Sequence, residues 1–331
     1  MNENILATLA YYDVLDFPLK AEEIFKYLIR IEASDTNLQN ETLTSLKKNL
    51  DQLVLDREID YHQSYYFLPD REFIVPLRLK KEKISEKKWK KATAAIRKLM
   101  FLPNIEAIFA SGSLSFGNCD ELSDLDILIV VRHGKIWLTR LLMLFVLSFF
   151  RARRKHFEKI SPDKICPNHY LTTSALQVPF PGLYNAQTYI NLRPIFLEDK
   201  KIISKFYKAN SWISDYLIHT PAGLVDIAVV KRGILTRAVS HFLEMLIASP
   251  MGLVLENWAR FFQIRRIQRG RTSNSGHLTY SDFHIALHPE SPANNILRLF
   301  RNNLLKFGFK KPGLYFDSTA GATSNRVDNN F

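Results

Sequence analysis

The sequence predicts an α+β chain: a mixed sheet with flanking helices at the centre, a small helical domain before it and a helical domain after it. Three observations lead there. Apolar residues recur at helical spacing through residues 1–76 and through most of residues 181–315. Between them, Asn104–Ala110 and Leu125–Val131 are apolar over strand rather than helix lengths. A Gly-Ser turn and a pair of alternating aspartates lie between and on those two runs.

In residues 1–76, Ile5, Leu6, Leu9 and Ala10 have helical spacing, and Pro18 precedes LKAEEIFKYLI, where Ile24, Phe25 and Leu28 continue an apolar stripe. A polar gap, ASDTNLQN, leads to a third helix carrying Leu43, Leu46, Leu50 and Leu53. Glu58–Asp60 and Tyr65–Leu68 read as two short strands about a tight turn. Three helices and a hairpin resemble a winged helix with Leu43–Leu53 in the recognition position. Lys47 and Lys48 could meet phosphate there, but Glu41, Asp51 and Glu58 dilute the charge and no Arg or Asn row offers base reading. Packing or protein contact is the favoured role, and the winged shape speaks of fold alone.

Residues 77–100 form a basic linker helix, with the run Arg78–Lys98 the most cationic of the chain. Trp89, Ala92, Ile96 and Leu99 share a face, Ile84 lies near its edge, and most of the lysines should project away, either solvated or against a nucleic-acid backbone.

Residues 101–180 hold the candidate site. Strands are expected at Asn104–Ala110, Leu125–Val131 and Ile165–Leu171, the last in the run ICPNHYLTT. Where the first ends, Ser111, Gly112 and Ser113 form a turn in which glycine allows close backbone approach to an anion and Ser113 adds a hydroxyl. Strand side chains alternate, so Asp124 and Asp126 share a face while Leu125 and Ile127 enter the core. Two parallel carboxylates make a claw for a divalent cation. Mg²⁺ prefers oxygen ligands and is commonly held by one or two carboxylates plus substrate phosphates. The plain alternative is a turn followed by two solvent-facing acids.

Gly112, Ser113, ten intervening residues, then Asp124, Leu125, Asp126 and Ile127 resemble the signature of the polymerase-beta-like nucleotidyltransferase superfamily. The resemblance implies a nucleotidyltransferase-type mixed sheet and Mg²⁺- or Mn²⁺-dependent transfer of a nucleoside monophosphate from a nucleoside triphosphate to a hydroxyl acceptor. Ser111, Gly112 and Ser113 would seat the triphosphate, and Asp124 and Asp126 would be the catalytic metal ligands. The family usually adds a third carboxylate from a later strand. Here the polar residue on one alternating face of Ile165–Thr173 is Asn168, an amide that cannot act as a base, and Asp163 sits in a loop behind Pro162. The base therefore comes from elsewhere, with Asp163 the candidate, or activity is weak or lost. In the latter case the fold would serve as a nucleic-acid-binding or regulatory module, or as a protein-interaction scaffold. Lys135 and Arg140 are further phosphate candidates if their helix faces the site, whereas His133 reads as exposed.

Beyond residue 181, Tyr184–Leu192, Ile202–Leu217, Ala228–Ile267 and Ala293–Phe307 read as helices, the third interrupted at Ser249, Pro250 and Gly252. Trp212 and Tyr216 are accounted for by packing. Arg265, Arg266, Arg269 and Arg271 form a second basic cluster, for which a solvated helix end is the simpler reading and polyanion contact the alternative. His284 and His288 have helical spacing but no ligand set around them, and His277 adds none. Residues 316–331 read as a disordered tail.

The 47% hydrophobic content fits a folded chain, and a net charge of +12 favours polyanionic partners, nucleic acid included. Two cysteines, Cys119 and Cys166, make neither a disulfide framework nor a zinc cluster, and the N-terminus lacks the pattern of a signal peptide, so a cytoplasmic protein is expected. Ile136–Phe150 is short for a bilayer crossing and contains Arg140; with Arg151, Arg153, Arg154 and Lys155 behind it, a half-buried helix with a basic end is expected. No transmembrane span is expected, and peripheral membrane contact is the less favoured reading.

Overall fold

A computed structural model describes residues 1–32, 35–155, 158, 160–220, 229–269, 277–288 and 292–309. Arg271, the loop that follows it and the tail at 316–331 lie outside these residues.

The chain opens with α1 (Asn2–Asp13), α2 (Ala21–Tyr27) and α3 (Leu43–Leu55), with a 3-10 turn at Asp35–Asn40 in the polar gap. Thr42 caps α3 by accepting a hydrogen bond from the Ser45 N–H at 3.2 Å. The antiparallel hairpin of β1 (Asp60–His62) and β2 (Tyr65–Phe67) follows. Then α4 (Ile74–Arg97) begins before the basic run, with Pro76 tolerated in its first turn, where an N–H has no partner in the helix. Lys80, Lys83, Lys87 and Lys90 are exposed as expected, while Lys88 is buried with Ala92 and Ile96.

The rest of the chain runs β3 (Ile105–Ala110), α5 (Gly112–Phe116), β4 (Leu125–Val131), α6 (Ile136–Phe149), β5 (Ile165–Thr172), α7 (Leu183–Ile190), β6 (Arg193–Leu197), α8 (Lys201–Ala209), a 3-10 turn at Ser211–Asp215, α9 (Ile234–Ala248), α10 (Pro250–Arg269), β7 (His277–Tyr280), β8 (His284–His288) and α11 (Ala293–Lys306). One mixed sheet of six strands has the order β6-β3-β4-β5-β8-β7. Its β4–β5 pair is parallel, with α6 in the crossover, and the other neighbours are antiparallel.

Three strands arise in the stretch expected to be helical. β6 is five residues long and contains Pro194, which reads as a break in sequence; the fold accommodates the proline on an edge strand beside a register shift. His284 and His288, spaced like helix neighbours, lie on β8, four strand rises of about 3.3 Å apart. The single helix expected over Ile202–Leu217 breaks at buried Asn210, whose side chain accepts from the Val178 N–H and donates to the Leu176 carbonyl.

The sheet divides two apolar cores by strand alternation. Phe109, Leu128, Val130 and Leu171 share one with α1–α3, α7, α8 and α11. Ile108, Ile127, Ile129 and Tyr170 share the other with the end of α4 and with α6. The opening helices and the sheet are thus one packed body on that first side. Among the described residues no single helix is long and apolar enough to cross a membrane; α9 and α10 pass that test only as a pair, bent by 89°. Gly252 sits at the bend, where a Cβ would lie 1.8 Å from the Ile247 carbonyl oxygen.

Candidate metal and phosphate site

The central strands bring the Gly-Ser turn and the acid pair together. β3 ends at Ala110, and the Ser111 N–H donates to the Asp126 carbonyl at 3.0 Å, which closes the turn onto β4. Gly112 has a φ of +57°, and a Cβ there would come within 3.1 Å of Asp126 Oδ2. Glycine is required on both counts: the left-handed backbone, and the close approach of the chain to a carboxylate. The Ser113 hydroxyl is 3.5 Å from the Cys119 thiol, and Ser115 donates to the Gly112 carbonyl at 2.7 Å.

Asp124 Oδ2 accepts from Arg154 Nη1 at 2.6 Å. Asp126 is drawn up to about 7 by burial and by the neighbouring Asp124 charge, against a hydrogen bond from Cys166 and the Arg154 charge. Cys166 is the third member. On β5 it pairs with Asp126, and Asp124, Asp126 and Cys166 offer ligand atoms all within 4.8 Å of one another, a group able to hold a metal ion. Burial and the two acids hold its thiol well above the usual range.

Asn168 was the residue expected at this position. Cys166 pairs with Asp126, and a register shift just after it inserts an extra residue on β5 around Pro167, so that His169 and not Asn168 pairs with Leu128. A proline cannot donate to a ladder, and strands bulge where one sits. Asp163 is held elsewhere, by buried Lys88 at 2.9 Å and by Lys91. Burial pushes its carboxyl up, but the hydrogen bonds and charges of those lysines carry it below its ordinary value, which makes it a poor base.

Lys88 also donates to the carbonyls of Glu121 at 3.1 Å and Ser123 at 2.7 Å. Its three donors are then all used, and they fix the residue just before Asp124. The neighbouring Asp120 accepts from the Leu122 N–H and the Ser123 hydroxyl, both at 2.9 Å, so the whole approach to β4 is tied down. The N-terminal domain backs the site: Asn118 donates to the Leu15 carbonyl at 3.1 Å, and Phe17 meets Phe116 edge-on at 5.3 Å.

Lys135 and Arg140 are engaged on the far side of β4. Lys135 Nζ donates to the Ile247 carbonyl at 3.1 Å, and Arg140 is buried between Gln263 of α10 and the Tyr170 ring. His133 Nδ1 meets the Ser174 hydroxyl at 2.7 Å. At the opposite end of β3 a polar cavity of about 210 Å³ is lined by charges that pair among themselves, Arg132 with Glu106 and Glu244 and Arg232 with Glu198.

Cys166, Arg154 and Lys88 were not legible as site residues. Arg154 lies in a basic run that reads as a helix end, and Lys88 in a row of exposed lysines. Cys166 had one signal, its place on the strand adjacent to Asp126. Comparison of the chain with known protein families, with curated proteins and with solved structures finds no match.

Proposed function

We propose that this protein is a cytoplasmic, divalent-cation-dependent nucleotidyltransferase that moves a nucleoside monophosphate from a nucleoside triphosphate to a hydroxyl acceptor. The observation that supports this most is the backbone of Gly112 packed side-chain-free against the Asp126 carboxylate, with Asp124 and Cys166 beside it. Two carboxylates fit one oxygen-preferring cation, Mg²⁺ or Mn²⁺, and leave its remaining positions to water and phosphate. The thiol is a softer donor and does not extend the oxygen set. When bound, the cation would offset charge on the phosphates.

The chain's own groups then have separate tasks. Gly112 lets a phosphate approach the main chain, and Lys88 holds the Ser123 carbonyl so that Asp124 enters the site at a fixed angle. Cys166 stays a neutral thiol, since burial and two acids oppose its ionisation, and so does not take the acceptor's proton. Without a carboxylate base on β5, slow turnover is expected. Exposed lysines of α4 would draw in a polyanionic acceptor.

The test is Mg²⁺-dependent turnover of a panel of labelled nucleoside triphosphates by the intact protein and by the double variant Asp124→Asn, Asp126→Asn. Pyrophosphate and labelled product are expected from the intact protein only; the reading fails if nucleotide neither binds nor turns over. The Arg154–Asp124 pair favours a second reading, in which a guanidinium stands where a cation would and the fold is a binding or regulatory module. Under that reading a nucleic-acid oligomer binds without any nucleotide turnover, and Arg154→Ala does not restore it.

A further inference from the structure

The bent pair α9–α10 is built inside out. Its buried residues are Ser240 and Ile247 on α9, then Gly252, Glu256, Ala259 and Gln263 on α10, spaced by four, three and four. The polar ones are all used: Ser240 donates to the Leu102 carbonyl, Glu256 accepts from the Trp137 and Leu138 N–H groups at 2.8 and 2.9 Å, and Gln263 donates to the Trp137 carbonyl at 2.7 Å. The outer face carries Phe242, Met245, Met251, Val254, Trp258 and Phe262, each about half exposed or more. More than half of the exposed large apolar side chains among the described residues fall between Ile234 and Phe262. A helix facing water has the opposite arrangement, and a contiguous apolar patch of this kind marks an interaction surface.

The charges say what covers it. The carboxylates of residues 234–269 are Glu244 and Glu256, and both turn inward, Glu244 toward Arg132 and Glu256 to the start of α6. Arg265, Arg266 and Arg269 are exposed at the end of α10. Beside α10, α6 exposes Phe145 and Phe149 and is followed by exposed Arg151. The outer surface is therefore apolar and cationic together. A second copy across a two-fold axis would cover the apolar residues but bring the arginines no anion, since the outer face carries no carboxylate of its own. A nucleic-acid strand would satisfy the arginines and could stack on Trp258 or Phe262, but would leave Met245, Met251, Leu253 and Val254 in water. An anionic bilayer takes both: the acyl boundary receives the apolar side chains and the headgroups receive the arginines.

We propose that the outer face of α9–α10 seats this protein in the headgroup and acyl boundary of an anionic membrane, lying in the interface without crossing it. This is independent of the nucleotidyl-transfer reading.

The test is flotation of the full chain with phosphatidylcholine vesicles, with and without roughly 30% phosphatidylglycerol. Binding to the anionic vesicles should be at least about tenfold stronger than to the neutral ones and should weaken with salt. The triple variant Met251→Asp, Trp258→Asp, Phe262→Asp should lose it while keeping the urea midpoint of the parent. Should the triple variant fail to fold, quenching of tryptophan fluorescence in the unaltered chain by bromine-labelled acyl chains decides the matter, with quenching expected. The proposal is overturned if the full chain does not float, if a folded triple variant floats equally, or if brominated lipid leaves the fluorescence unchanged. It is also overturned if light scattering shows a dimer that the triple variant dissociates while vesicles bind neither form; a second copy then covers the face.

Discussion

Helices α4 and α10 reach the same core from different directions, and they are attached to it by different physics. α4 inserts Ala92, Ala95 and Ile96 and leaves its row of lysines in water, so its docking is a matter of apolar surface removed from solvent. Its two buried cations are both paired, Arg78 with Glu23 and Glu82, and Lys88 with Asp163 and two carbonyls. α10 inserts Gly252, Glu256, Ala259 and Gln263 and leaves its apolar side chains outside. Its attachment rests on close backbone approach and on a few directional hydrogen bonds. The difference teaches that a helix's composition does not tell which side faces the protein; the neighbour's free backbone groups do.

The largest effect that would sharpen this contrast is at Gly252. A Cβ there overlaps the Ile247 carbonyl, so Gly252→Val should cost more than about 3 kcal/mol in urea unfolding. Gly233, where a Cβ would meet Thr236 Oγ1 at an ordinary 3.8 Å, should accept alanine within about 0.5 kcal/mol. Next comes Glu256→Ala, which leaves the Trp137 and Leu138 N–H groups without their acceptor and should cost about 2 kcal/mol, with faster amide exchange confined to the start of α6. On α4, Ile96→Val should cost about 1 kcal/mol as a purely apolar loss. Exposed Lys90→Ala should change stability by less than about 0.5 kcal/mol, and a larger loss would break the view of α4 as held by its apolar face.

Acid should separate the two helices by sign. Lys91 and Lys88 hold Asp163 below its ordinary pKa despite burial, so its contribution is present above the unfolded carboxylate value and is lost as pH falls through the lower folded value. Burial raises Glu256 above its ordinary value, against the Leu138 and Trp137 N–H groups. Its native form takes up a proton more readily than the unfolded chain, so its contribution is fullest below the unfolded value and declines as pH rises through the folded one. Urea midpoints across the acid range should show Asp163→Asn flattening the first limb and Glu256→Gln the second.

Much of this was open to reading in the residues themselves. Helical spacing gave α1 to α3 and the core of α4, and the run of apolar residues gave β3 and β4. Gly112, Asp124 and Asp126 were singled out as one constellation, and the fold sets them together. Cys166 lies two residues before Asn168, on the same face by alternation, and was passed over as a thiol among expected oxygen ligands; the shift after it, at Pro167, is what a single strand cannot reveal. Lys88 was lost among its neighbours because the helical face it occupies is set by the carbonyls of Glu121 and Ser123, more than thirty positions onward in the chain. β6 and β8 were hidden by Pro194 and by two histidines whose separation suits a helix as well as a strand. The inversion of α10 was illegible for a related reason: both of its faces hold residues that a core accepts, and only the N–H groups of Trp137 and Leu138 choose between them.

The shared interior of the opening helices and the sheet has a consequence for descent. A recombination that cut at residue 77 would pass on an α7 whose Gln187 had lost Tyr12, an α11 whose Phe300 had lost Tyr11, and a Gly112 turn without the Phe17 ring behind Phe116. The chain is therefore heritable as a whole and not as exchangeable modules. A change at Leu15 or Phe17, far from any carboxylate in the sequence, would be selected for what it does to the ground on which Asp126 stands.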